Sequence, residues 1–179
     1  MKKIILSILF INFCHIGFSQ SKTDFYETNN KIDLFAFIGE KISIEEFDPN
    51  KNNGFREYDS VKKDSVLRTK YIKDRAFRVK YKIIKKIFND LKTDTIEFLV
   101  YDRYGKPNFQ KYKNVILYIS TGSKVNYFHQ KYQYDVVYKN SKDVWFGYII
   151  DKNSRKKKVI DLETIFNNKR NNVFKELFE

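Results

Sequence analysis

Residues 126–140 read NYFHQKYQYDVVYKN, with four tyrosines, a phenylalanine, a histidine and two lysines among fifteen residues. Two readings compete for this stretch. Aromatics exposed beside positive charge make a platform on which bases or sugars stack. Aromatics turned inward make the wall of a small barrel. Side chains alternate across a strand, so parity decides between the two. Phe128, Tyr132, Tyr134, Val136 and Tyr138 share one face with Gln130, and Tyr127, His129, Lys131, Gln133, Asp135 and Val137 share the other. An apolar face opposite a mixed one is the pattern of a core strand, which leaves Tyr127, His129 and Lys131 as the exposed side.

The same periodicity recurs on both sides of this stretch. In LFAFIGEKISIEEF, residues 34–47, Leu34, Ala36, Ile38, Ile42 and Ile44 alternate onto one face, and Gly39 marks a bulge or a sharp bend. Residues 48–65 carry Pro49, Gly54 and several Asn and Asp residues, and read as a long polar loop. AFRVKYKI follows, a half-buried strand with Phe77, Val79, Tyr81 and Ile83 inside and Arg78, Lys80 and Lys82 outside. Residues 83–91 fit a helical period and a bulged strand alike. TIEFLVYD is again a strand, with Ile96, Phe98 and Val100 on one face. RYGKPNFQKYKN is a loop broken by Gly105 and Pro107, and VILYIS is apolar on both faces, as a central strand must be. DVWFGYII alternates through Val144, Phe146, Tyr148 and Ile150, and DKNSRKKK is a charged turn. At the end Asp161 is placed to cap a helix carrying Leu162, Ile165, Phe166, Val173, Phe174 and Leu177, with asparagines at 167–172 that weaken or split it. The fold expected is mainly β, a small antiparallel OB-like barrel or curled sheet with a C-terminal helix.

The N-terminus changes how the composition is counted. MKK followed by IILSILFINFCHIGF is a short basic region ahead of an apolar run, and Gly17 and Ser19 stand where a signal peptidase reads small residues. A signal peptide over 1–19, cleaved between Ser19 and Gln20, is expected, then a polar lead-in over 20–32 and a single β-rich domain over 33–179. The run is short of the roughly 20 residues that span a bilayer, and Asn12 and His15 interrupt it, so no stable membrane anchor is expected after cleavage. The destination is the periplasm, the outer surface or the extracellular medium. Cleavage would remove Cys14, the one cysteine, leaving neither disulfide nor thiol chemistry.

The segments FAFIGEKISIEEF, FRVKYKIIKKIF, DTIEFLVYDRYG and YKNVILYIS together resemble the strand order of netrin-like, tissue-inhibitor-type OB-fold modules over about residues 34–120. Those modules use cysteine pairs, and their inhibitors act through an N-terminal cysteine. That mechanism does not transfer to a chain whose one cysteine lies in the expected signal peptide. The whole chain also resembles small exported bacterial proteins to which no activity is attached.

The formal charge of +13 admits a polyanion or envelope-surface partner. Two clusters could supply it, Arg78, Lys80 and Lys82 on one strand, and Arg155, Lys156, Lys157 and Lys158 in the charged turn. Lys, Asn, Ile, Phe and Tyr are all abundant here and all have A/T-rich codons, so composition alone also accounts for the charge. No nucleophile turn, paired-histidine motif or phosphate-cradling glycine loop surrounds any candidate, so no catalytic residue, metal or cofactor is expected. The richest surface candidate is the loop holding Tyr101, Arg103, Tyr104, Lys106 and Phe109, an aromatic and cationic mixture suited to a protein or glycan contact, unless its aromatics tuck under the loop to close the barrel end; His129, on its strand, is a separate candidate. The leading expectation is an exported, non-catalytic binding module that meets a protein partner through the 101–112 loop, with the 48–65 loop as a second contact. A polyanion binder is the first alternative, and a hydrolase with unrecognised carboxylates the second.

Overall fold

The computed structural model describes residues 25–51, 53–122, 126–151 and 154–179. The expected signal peptide, its Ser19–Gln20 cleavage and the side chain of Lys131 lie outside the described residues. The strands are β1 (Phe35–Phe47), β2 (Gly54–Asp59), β3 (Asp64–Thr69), β4 (Arg75–Phe88), β5 (Thr95–Asp102), β6 (Asn114–Thr121), β7 (Tyr127–Lys139), β8 (Trp145–Ile150) and β9 (Lys157–Ile160). Helices α1 (Leu162–Asn172) and α2 (Lys175–Phe178) end the chain, and a 3-10 helix spans Asn108–Lys111.

Seven strands hydrogen-bond in the order β5-β4-β1-β6-β7-β8-β9, and a parallel pairing of β5 with β7 closes the first five into a barrel. This is the expected OB-like barrel with its C-terminal helix. Closure removes two exposed sheet edges, which is what a short antiparallel sheet most needs. Two apolar cores result. One fills the barrel with Phe37, Phe77, Val79, Tyr81, Phe98, Leu117 and Ile119. The other lies outside, where α1 presses Leu162, Ile165 and Phe166 against Ala36, Ile38, Ile116, Tyr118 and Val137. VILYIS is buried on both faces because β6 serves both cores.

Bulges decide which residues reach which core. The β1–β4 register shifts between Ile38 and Gly39 and again between Lys41 and Ser43. The single face expected in 34–47 is therefore split. Leu34, Ala36 and Ile38 face the helix, Ile44 packs on the barrel interior, and Ile42 is exposed. Residues 83–88 resolve as strand, because β1 offers a backbone partner from Phe47 back to Ala36. The loop expected over 48–65 is corrected. It holds β2 and most of a hairpin with β3, since Phe55, Tyr58, Val66 and Leu67 supply the strand-forming side chains. DVWFGYII is also inverted, with Trp145 and Gly147 buried and Tyr148 and Ile150 exposed, because Gly147 lies against Ile165 of α1.

Asp161 caps α1 as expected, its side chain accepting from the Thr164 N–H at 2.7 Å. The helix stops at Asn172 and Phe174 turns back into the outer core, so the asparagine-rich segment does split it. The described part of the lead-in belongs to the fold. Glu27 N–H donates to Ile87 O, Phe25 packs on Phe166, and the Asn89 side chain donates to the carbonyls of Asn29, Ile32 and Leu34.

Candidate interaction end of the barrel

Three strand ends meet at one end of the barrel. Phe47 at the end of β1 pairs with Ala76, and Arg75 at the start of β4 pairs with Asp102 at the end of β5. Two excursions spring from that end, residues 48–74 with the β2–β3 hairpin and residues 103–113 with the 3-10 helix. The hairpin's base is clasped by Asn50, whose amide donates to Ile72 O at 2.9 Å and accepts from Ile72 N–H at 2.8 Å. The excursions are tied together by Arg103 and Asp74, 3.4 Å apart. Arg75 donates to Glu46 through Nε and Nη2, at 2.7 and 2.5 Å, which lowers the Glu46 pKa and raises that of Arg75.

The hairpin pairs with no barrel strand and carries large side chains into solvent. Tyr58 is 66% exposed, Leu67 74% and Tyr71 71%, with Phe55 and Val61 also exposed. Across the hairpin Arg56 faces Leu67 and Tyr58 faces Ser65, while Phe55 faces Arg68. Arg68 pairs with Glu57 at 2.6 Å on the Phe55 side, so Tyr58 and Leu67 sit on the opposite face. The sequence points to 48–65 as a contact segment but singles out none of these side chains, because they lie among Asn, Asp and Lys, and Leu67 and Tyr71 fall beyond it. The alternation FREYD against SVLRT was the available signal.

The loop residues divide. Tyr104 is 87% exposed, Arg103 and Lys106 are exposed, and Tyr101 is half-buried. Phe109 and His129 are corrected as surface contacts, because both are buried. The 3-10 helix inserts Phe109 as a plug in the barrel mouth, edge-on to Tyr81 at 5.9 Å and to His129 at 5.0 Å. His129 turns inward because β7 bulges. Ile119 pairs with His129 and Leu117 with Tyr134, so four β7 residues loop out opposite Tyr118, with Tyr132 at φ 63°. The bulge resets parity, leaving Phe128 and Tyr132 outside and drawing Tyr127 and Tyr134 onto the barrel core.

The His129 Nε2–H donates to Gln133 O at 2.8 Å, since a carbonyl can only accept. Burial pushes the imidazole pKa down to about 4, with that bond offsetting only part of the shift. Tyr101, Phe109 and His129 thus meet, with Tyr132 and Tyr134, around a cavity of 260 Å³. That is below the roughly 300–1,000 Å³ of typical ligand pockets, and it reads as the seam beside the plug.

The two basic clusters do not converge. Arg78 pairs with Glu97 at 3.2 Å, Lys80 stands opposite Glu97 in the register, and Lys82 stands opposite Glu40. Arg155 and Lys156 lie in the turn before β9, while Lys157 and Lys158 are on β9, separated from β4 by four strands in the sheet order. Within the charged turn, then, the last two lysines are strand. No family model, curated protein or solved structure matches the chain.

Proposed function

We propose that this chain is a non-catalytic protein-binding module, exported as its N-terminus suggests, which docks its partner at the hairpin end of the barrel. One observation carries the reading. An otherwise unsupported two-stranded hairpin, exposing Tyr58 and Leu67, rises from the same barrel end as the loop exposing Tyr104, and an ion pair ties the two excursions. An isolated hairpin is marginal in water, and contiguous exposed apolar side chains are the mark of an interaction surface. Both hairpin edges also keep unpaired backbone groups available to an added strand. The polyanion alternative is weaker, because its β4 cations stand beside carboxylates of β5 and β1 and its other cations lie on distant strands.

The test is site-specific photo-crosslinking from Tyr58 and from Tyr104 in extracts of cells that make the protein. Both positions are expected to capture the same protein, and capture is expected to survive moderate salt. Capture of unrelated proteins from the two positions would refute a shared docking surface. Heparin binding that collapses across a salt series, with no common crosslink, would favour the polyanion reading instead.

A further inference from the structure

A second site stands on the opposite flank of β7. Strands β7 and β8 pair only through Val137–Gly147, Tyr138–Phe146 and Lys139–Trp145. Beyond those pairs β7 continues into the barrel wall beside β6, while β8 follows β9. The fork between them, floored by α1, is an open cleft of about 540 Å³, within the size range of small-molecule sites. Its floor is polar. Asp135 accepts from the Tyr118 hydroxyl at 2.8 Å and lies 3.6 Å from the Lys169 ammonium, which also donates to Gln133 Oε1 at 3.0 Å. Burial raises the Asp135 pKa, with Lys169 and the Tyr118 hydroxyl pulling it back.

The rim is aromatic and basic. Tyr138 and Tyr148 are both about half exposed, sit edge-to-face at 5.5 Å and line the fork. Lys157 stands 5.9 Å over the Tyr148 ring, at the end of the basic turn for which the proposed docking end has no use. The Asp135–Lys169 pair is only part-buried, so the ion pair itself adds little to stability. A phosphate seated on the floor would meet the Asp135 carboxylate. A sugar hydroxyl both donates and accepts, so an adjacent carboxylate and ammonium suit it. Asp135 has about four acceptor positions, which its two contacts do not exhaust. Tyrosine faces stack on the C–H face of a pyranose, and Lys157 with its basic neighbours complements an acid group on the sugar.

We propose that the β7–β8 fork binds an acidic oligosaccharide, stacking a ring on Tyr138 and Tyr148, bonding its hydroxyls through Asp135 and Lys169, and meeting its carboxylate with Lys157. Among the described lining residues Asp135 is the one carboxylate, whereas glycoside hydrolysis works with a pair. The inference is therefore binding, and it does not depend on the hairpin surface.

The experiment is a saturation-transfer NMR titration of the full chain with trigalacturonate and with neutral maltotriose. Trigalacturonate is expected to bind, to weaken roughly tenfold in Tyr148→Ala, as befits a central aromatic contact, and to be unaffected by Tyr104→Ala, since Tyr104 does not line the fork. Tyr148 is half exposed, so its replacement leaves the fold intact, which an unchanged unfolding midpoint verifies. Lys157→Glu is expected to abolish the preference for the acidic sugar. Absence of trigalacturonate binding, equal binding of maltotriose, or binding indifferent to Tyr148→Ala would each overturn the proposal.

Discussion

Tyr81 illustrates how residue-level chemistry and packing pull against each other in this barrel. Its ring touches Phe98 and Phe109 at the centre of the core, yet its hydroxyl is buried without a hydrogen-bond partner, and burial raises its pKa. An unsatisfied buried hydroxyl costs ~1–3 kcal/mol, so Tyr81→Phe is expected to hold or raise stability by about 1 kcal/mol in a denaturant titration. A Cβ added at Gly39 would lie 2.7 Å from Tyr81 Cδ1, so the ring and that glycine fit one another. His129 is the residue that carries a pH signature. Its folded pKa of about 4 is below the ordinary 6.5, so between those values the unfolded chain binds more protons than the folded one. Stability should therefore be complete above pH 6.5 and fall toward pH 4, at up to ~1.4 kcal/mol per pH unit. Comparing unfolding midpoints of the protein and His129→Phe from pH 7 to 4 checks this. The variant should lose that part of the slope.

At the scale of elements, the same kind of segment is put to two uses. The β1, β4 and β7 strands are long enough to bend through bulges, and each bulge hands residues from one core to the other. The β2–β3 hairpin does the opposite, contributing to neither core and ending in a stem pinned by Asn50 to Ile72. Replacing residues 54–69 by a short Gly-Ser linker should thus change barrel stability by less than about 1 kcal/mol, while abolishing crosslinking through the docking end. A large drop in the thermal midpoint would show that the hairpin belongs to the folding unit.

For the whole molecule, the decisive contact joins the two ends of the described chain. Arg170 of α1 pairs with Glu27 and sits between two rings, 5.0 Å from Phe166 and 4.8 Å from Phe178. One guanidinium thereby secures the N-terminal segment, α1 and the last turn over the outer core. Arg170→Ala should cost ~1–3 kcal/mol and raise amide exchange in residues 25–33 and 174–178, leaving the barrel strands protected. Arg170→Lys should rescue little, because an ammonium lacks the planar face that packs between aromatic rings. Uniform loss of protection across β4 and β6 would contradict this two-layer picture.

The sequence by itself determined the places of the barrel strands and of β8, the doubly buried β6, the basic outer face of β4 and the Asp161 cap. Each is a local pattern of two or four residues that survives any arrangement of neighbours. It also put Tyr101, Phe109 and His129 on one candidate list, and the fold brings them together. Only the tertiary structure decided which of them faces solvent. Strand parity is conserved between bulges and lost at them, and the β7 bulge sets four residues opposite Tyr118 between the Ile119–His129 and Leu117–Tyr134 pairs. Nor could periodicity show that the hairpin stands apart from the barrel, since that depends on which strands pair, or that Asp135 meets Lys169, since that depends on how β8 leaves β7 and where α1 lands.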